Sequence, residues 1–193
     1  MTSNCEKLIA EVFTLLKKSE EMDYFGEEVS QLAHSLQCAK LAADTGADEE
    51  TVIAALLHDI GHLCASDDAE RMGAVGVADH EAVGANYLRA CGFSEKVAQL
   101  VQGHVQAKRY LTFKNPRYMA GLSAASLETL AHQGSPMSTQ EAEAFEHDPL
   151  FEAKLRLRSW DEQGKKVGWQ IPPLETYRGM LASHLKGMAG EGN

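Results

Sequence analysis

Thr51-Val52-Ile53-Ala54-Ala55-Leu56-Leu57-His58-Asp59-Ile60-Gly61-His62 decides how this chain folds. An almost wholly apolar run is followed at once by two imidazoles and a carboxylate. A helical segment that is apolar all round belongs at the centre of a fold, so Asp59 enters the interior with it. Burying a carboxylate is costly unless something positive pairs with it. An adjacent His-Asp pair on such a segment suggests a metal ion as that partner. At about 3.6 residues per turn, His58 and His62 are expected on one helix face, with Asp59 about a third of a turn away.

Upstream, Gln31 to Asp44 reads as a helix with Leu32, Leu36, Ala39 and Leu41 apolar, stopping at Gly46. It carries His34. Before it, a loop is expected around Asp23, Tyr24 and Gly26, and an amphipathic helix through Leu8, Ile9, Val12, Phe13, Leu15 and Leu16. Downstream, Leu63 to Ala78 lacks periodicity, contains Gly73 and Gly76, and reads as a loop. His80–Ala90 and Ser94–Lys108 read as helices with a turn at Gly92, and they carry His80 and His104. Pro116 interrupts the pattern after them. Further helices are expected near Ala124–His132, Thr139–His147, Leu150–Trp160 and Pro173–Leu185, the last signalled by Pro172-Pro173. No strand-like alternation or repeat stands out. The expected fold is all-α, one domain over residues 1–193.

Composition limits the function. With 193 residues and 44% hydrophobic content, the chain is long enough for a full core. A net charge of −10 argues against a sequence-independent grip on nucleic acid, and an anionic substrate would need a local cluster of cations. No apolar run approaches a membrane span, and the polar start Met1–Lys7 does not read as a signal peptide. Cys5, Cys38, Cys64 and Cys91 are widely spaced and read as free thiols of a reducing compartment, Cys38 and Cys64 packing as small apolar groups. The expected location is the cytoplasm. Trp160 and Trp169 are expected in the core, and His132, His147 and His184 at the surface or in packing roles.

His34, His58, Asp59, His62, His80, His104 and Asp161 thus come from several helices, with room for two metals. Helix bundles build metal sites from inward-pointing side chains on facing helices. On residue types alone the metal stays open among Fe, Zn, Mn, Ni and Cu.

The order His34, His58-Asp59 and a distal Asp161 resembles the HD superfamily of metal-dependent phosphohydrolases. His80 and His104 resemble its dinuclear subset. The finer resemblance is to the HD-domain mixed-valent diiron oxygenases, among them the enzymes that oxidatively cleave 1-hydroxy-2-aminoethylphosphonate and its trimethylammonio analogue. It extends over nearly the whole chain, through Asp23-Tyr24, Ser30-Gln31-Leu32, Gly103-His104-Val105, Lys108-Arg109-Tyr110 and Arg158-Ser159-Trp160-Asp161. The resemblance implies that His34, His58, Asp59 and Asp161 hold one iron, that His80 and His104 hold another, and that Asp59 bridges an Fe(II)/Fe(III) pair. It also implies that His62 and Ser126 touch a phosphonate, that Tyr24 covers the site until substrate arrives, and that Glu27 meets the substrate's cationic end. Tyr24, Phe25 and Glu27 suit a primary or a trimethylated nitrogen.

Lys108 lies four residues after His104 and Arg158 three before Asp161, so each cation shares a helix face with a ligand. Such a pair suits a phosphonate, Arg through paired hydrogen bonds and Lys as a point charge. The expected activity is O2-dependent cleavage of a carbon–phosphorus bond, with metal-dependent phosphate-ester hydrolysis as the alternative.

Overall fold

In a computed structural model, residues 2–73 and 75–191 are described, and they form eleven helices and one small hairpin. The helices are α1 (Thr2–Lys18), α2 (Gln31–Asp44), α3 (Glu49–Leu57), α4 (Gly61–Cys64), α5 (His80–Ala90), α6 (Glu95–Lys114), α7 (Pro116–Ala120), α8 (Ala124–His132), α9 (Thr139–Glu146), α10 (Phe151–Gln163) and α11 (Arg178–Glu191). The hairpin pairs β1 (Asp23–Tyr24) antiparallel with β2 (Glu27–Ser30).

Local chemistry sets most helix starts. The side chains of Ser30, Asp48, Ser94, Ser123 and Ser138 each accept a backbone N–H at the first turn of α2, α3, α6, α8 and α9. Ser138 and Glu141 complete a reciprocal capping box. Helix α6 runs six residues past the expected end at Lys108, to Lys114. There Asn115 caps α7 and Pro116 occupies its first turn.

Every residue of α3 from Thr51 to Leu57 is buried. Around it the core gathers Ile9, Val12, Phe13 and Leu16 of α1, Leu32 and Leu36 of α2, Leu88 of α5, Leu100 and Val101 of α6, Leu157 and Trp160 of α10, and Leu181 and Leu185 of α11. Helix α3 contacts α2, α6 and α10 directly. The apolar run therefore delivers His58 and Asp59 to the middle of a ring of helices.

Four expectations are corrected. The segment around Asp23–Gly26 is a hairpin, not a loop. Its turn residues Phe25 and Gly26 both have positive φ, 39° and 83°, as a two-residue hairpin turn requires. A two-residue strand is too short to show alternation. The helix through residues 58–62 is broken, because Ile60 N–H donates to Leu57 O and His62 N–H to Asp59 O, tight three-residue steps that separate α3 from α4. His58 and His62 therefore serve different neighbours. The last helix begins at Arg178 rather than Pro173, after a single 3-10 turn over Leu174–Tyr177. Finally, Trp169 is not in the core: it is half-buried, with the ammonium groups of Lys40 and Lys166 5.4 Å and 4.7 Å from its ring centre. Trp160 is buried as expected. No helix among the described residues is long and apolar enough to cross a membrane.

Candidate metal centre

Six side chains from five segments meet at the end of α3. His34 comes from α2, His58 and Asp59 from the α3–α4 turn, His80 from α5, His104 from α6 and Asp161 from α10, and all six are buried. They fall into two groups. His34 and His58 approach each other at Nε2, 3.1 Å apart, and His80 and His104 do the same, also 3.1 Å apart. Asp59 stands between the pairs. Its Oδ2 is 3.3 Å from His58 Nε2 and 3.7 Å from His34 Nε2, and its Oδ1 is 3.5 Å from His80 Nε2 and 3.6 Å from His104 Nε2. Asp161 Oδ1 joins the first pair only, 3.4 Å from His34 Nε2.

The ring tautomers follow from the opposite nitrogens. Nδ1–H of His34 donates to Gly164 O, that of His58 to Ala55 O and that of His104 to Val101 O, at 2.8, 2.9 and 2.7 Å. A neutral imidazole then presents a bare lone pair at Nε2. In the His34–His58 pair, two lone pairs facing each other at 3.1 Å repel unless a cation lies between them. The buried Oδ2 of Asp59 also accepts no hydrogen bond. Ligands bound at about 2.1 Å and at right angles sit about 3 Å apart, so this donor set fits two metal ions sharing Asp59. His80 Nδ1 has no hydrogen bond and lies 3.6 Å from the Glu81 carboxylate, the kind of outer partner that orients a ligand imidazole.

Charge at the site follows from burial and neighbours. Burial alone would raise the carboxyl of Asp59, yet His58, His62 and His80 hold it well below the usual carboxylate range. Burial likewise opposes ionised Asp161, while Arg158, His34 and His58 hold it low. Burial first, against the pull of Asp59, pushes His80 down to about 3 and His104 down to about 4, which keeps both rings neutral and able to ligate. His58 is the exception: burial works against its charge, but Asp59 and Asp161 raise it to about 9, so the position between His34 and His58 attracts a cation, a proton or the metal ion that would displace it. Cys38 sits behind His34, with Sγ 3.7 Å from Nε2. Burial, then Asp161 and Asp59, push its thiol well above the usual range, so it stays protonated and donates to Trp160 O.

A narrow cavity opens beside the two histidine pairs. It is lined by every expected substrate-facing residue: Tyr24, Glu27, His62, Lys108, Ser126 and Arg158. Lys108 Nζ donates one hydrogen bond, to Thr129 Oγ1 at 2.8 Å. Burial, then the charge of Arg158, brings this lysine down to about 7. Arg158 is buried and already engaged, donating to Tyr118 Oη and to Asp161 Oδ2 while also pairing with Glu162. Val77 N–H donates to His62 Nδ1, so neutral His62 carries its proton on Nε2. Burial, then His80, holds that ring near a pKa of about 3. The ring stacks on His80 with centroids 4.0 Å apart. Tyr24 stacks on His34 at 3.8 Å, and its hydroxyl donates to Asp161 Oδ1 at 3.4 Å.

Thr129, Gln133 and Lys165 also line the cavity, beyond the residues expected from the sequence. Helical spacing could have found two of them, since Thr129 follows Ser126 by three residues and Gln133 follows Thr129 by four. Lys165 lies four past Asp161, but beyond the end of α10. Outside the site, His132 and His147 are exposed, while His184 is half-buried and accepts a hydrogen bond from Ser94 N–H. All four cysteines are free; Cys38 is buried and Cys64 only partly so.

The HD domain family matches residues 32–144. An uncharacterized protein of Acanthamoeba polyphaga mimivirus is 40% identical over 187 residues, 95% of this chain and 85% of that protein. A hydroxymethylphosphonate dioxygenase of Gimesia maris is 37% identical over 172 residues, 89% of this chain and 85% of that protein. A [1-hydroxy-2-(trimethylamino)ethyl]phosphonate dioxygenase (glycine-betaine-forming) of Leisingera caerulea is 37% identical over 150 residues, 78% of this chain and 76% of that protein.

Proposed function

This chain belongs to the HD-domain family, on its oxygenase branch, and from that premise we propose that it uses O2 to cleave the carbon–phosphorus bond of an α-hydroxyphosphonate. One observation carries the reading: a shared carboxylate faces two separate histidine pairs, beside a cavity lined by lysine and arginine. The proposed substrate is (1R)-1-hydroxy-2-(trimethylammonio)ethylphosphonate, yielding glycine betaine and phosphate. The 2-amino analogue, yielding glycine, is the neighbouring possibility. One O2 balances either reaction, with C1 leaving as a carboxylate and phosphorus as phosphate.

His34, His58, Asp59 and Asp161 would hold one iron, and Asp59, His80 and His104 a second. When bound, the Fe(II)/Fe(III) pair supplies O2 activation and removal of the C1 hydrogen. The chain's own groups position the substrate. Lys108 has two N–H donors left after Thr129 and meets the phosphonate as a point charge. Ser126 and His62 Nε2–H add neutral donors, and Arg158 adds charge from behind Asp161. Tyr24 covers His34 and Asp161 and moves aside for substrate. Tyr24, Phe25 and Glu27 line the same cavity, a setting in which aromatic faces and a carboxylate accept a quaternary ammonium. The chain serves as one domain, since its main core draws on α1, α2, α3, α5, α6, α10 and α11 together.

The test is phosphate release by iron-loaded protein in air and without oxygen. We expect release from the trimethylammonio phosphonate in air only, slowed by deuterium at C1. Equal release without oxygen, or turnover of a phosphate ester alone, would assign the protein to the hydrolases of the family. Oxygen-dependent release from the primary amine alone would keep the chemistry and change the substrate.

A further inference from the structure

We infer that Lys165 decides which α-hydroxyphosphonates this cavity prefers, by competing with the substrate's side arm for Glu27. The inference rests on the phosphonate reading above. Lys165 follows α10 and reaches across the cavity. Its ammonium is 3.2 Å from Glu27 Oε1 on β2, 3.4 Å from Ser126 Oγ on α8 and 3.8 Å from Glu162 Oε2 on α10. The same ammonium lies 5.8 Å from the centre of the Tyr24 ring. Lys165 thus holds both features that would attract a quaternary ammonium, a carboxylate and an aromatic face.

Glu27 depends on that lysine. Its Oε1 is buried and accepts no hydrogen bond, so the nearby ammonium is its compensation. Glu162 is shared with Arg158 and gives Lys165 a second, more distant counter-charge. A phosphonate with a cationic arm must displace Lys165 from Glu27 to use the carboxylate. A phosphonate with no arm leaves the pair intact. It also gains the lysine's charge, because Ser126, the proposed phosphonate donor, lies beside Lys165. Lys165 therefore lends affinity to phosphonates with no arm and reduces, without removing, the advantage that Glu27 and Tyr24 give a cationic arm.

The experiment measures equilibrium binding of hydroxymethylphosphonate and of 1-hydroxy-2-(trimethylammonio)ethylphosphonate to anaerobic, iron-loaded protein. Loss of one charge-assisted contact corresponds to about tenfold in affinity. Lys165→Met should weaken hydroxymethylphosphonate by about that factor while the trimethylammonio ligand holds or tightens. Lys165→Arg should stay near the wild-type ratio, which separates lost charge from lost packing. Glu27→Gln should move the ratio the other way and guards against a poorly folded lysine variant. Equal loss of both ligands in Lys165→Met, or an unchanged ratio in either Lys165→Met or Glu27→Gln, overturns the inference alone. A wild type that binds neither ligand overturns the phosphonate reading and the inference with it.

Discussion

Asp59 keeps its charge in the interior because imidazoles approach both of its oxygens. On the proposed two-metal reading, both metal positions depend on it. Asp59→Ala is expected to lose both metals, since removing the shared carboxylate leaves two cations facing each other without a counter-charge between them. Metal analysis of the purified variant checks this, and two ions per chain would contradict the bridging role. By contrast, His80→Ala and His104→Ala should each keep about one metal per chain, because His34, His58 and Asp161 remain, and should lose O2-dependent turnover. Lys108 carries a pH prediction. Its pKa is about 7, below the usual lysine value, because burial and Arg158 disfavour the charged form. The ammonium is the form that binds an anion, so phosphonate affinity should fall as pH rises through and above that value. Lys108→Arg, whose guanidinium stays charged, should flatten the profile between about pH 7 and 9 in a binding titration. A wild-type profile as flat as the variant's would remove Lys108 from the anion site.

The crossing of α4 over α5 explains the glycine in His58-Asp59-Ile60-Gly61-His62. A Cβ on Gly61 would meet the backbone of His80 and Gly84, with His80 O only 1.9 Å away. Neither backbone can yield cheaply, so Gly61→Ala should push α5 outward and carry His80 with it. Overpacking of this kind costs about 1–3 kcal/mol. The expected result is a lower unfolding midpoint together with loss of the metal held by His80 and His104 before the other. Denaturant titration and metal counting read both effects, and a variant with wild-type stability and two metals would show that α5 is free to shift. Gly76 has a parallel role between α4 and α5, where a Cβ would strike the His62 ring and Phe25. The hairpin tip, this connection and His62 therefore fit together only because glycine stands at residue 76.

Across the whole molecule, helices are drawn around two clusters of lone pairs. Chelation should therefore loosen more than the site. A ligand at about a hundred times its dissociation constant contributes about 2.7 kcal/mol, and for a chain of this size that corresponds to about 5–10 °C in Tm. Calorimetry with and without chelator, followed by anaerobic reloading with iron, should show a reversible drop in that range. An unchanged Tm would mean that the helices hold the site without help. The class of fold, and the six side chains that meet at the end of α3 as candidates for a metal site, were legible in the chain alone. An apolar run that ends in His58-Asp59 can only be central, and histidines recurring on other amphipathic helices can only face the same interior. Lys108 and Arg158 were legible too, through their helical register with His104 and Asp161. Spacing alone did not pair these side chains; the family resemblance implied the pairing, and the packing of five segments turns Asp59 Oδ1 to one histidine pair and Oδ2 to the other. Packing also decided that the helix breaks between His58 and His62, that the Tyr24 hairpin covers His34, and that Lys165 meets Glu27 across the cavity. Most of those contacts join residues far apart in the chain, and helical periodicity reports only on neighbours within a turn or two.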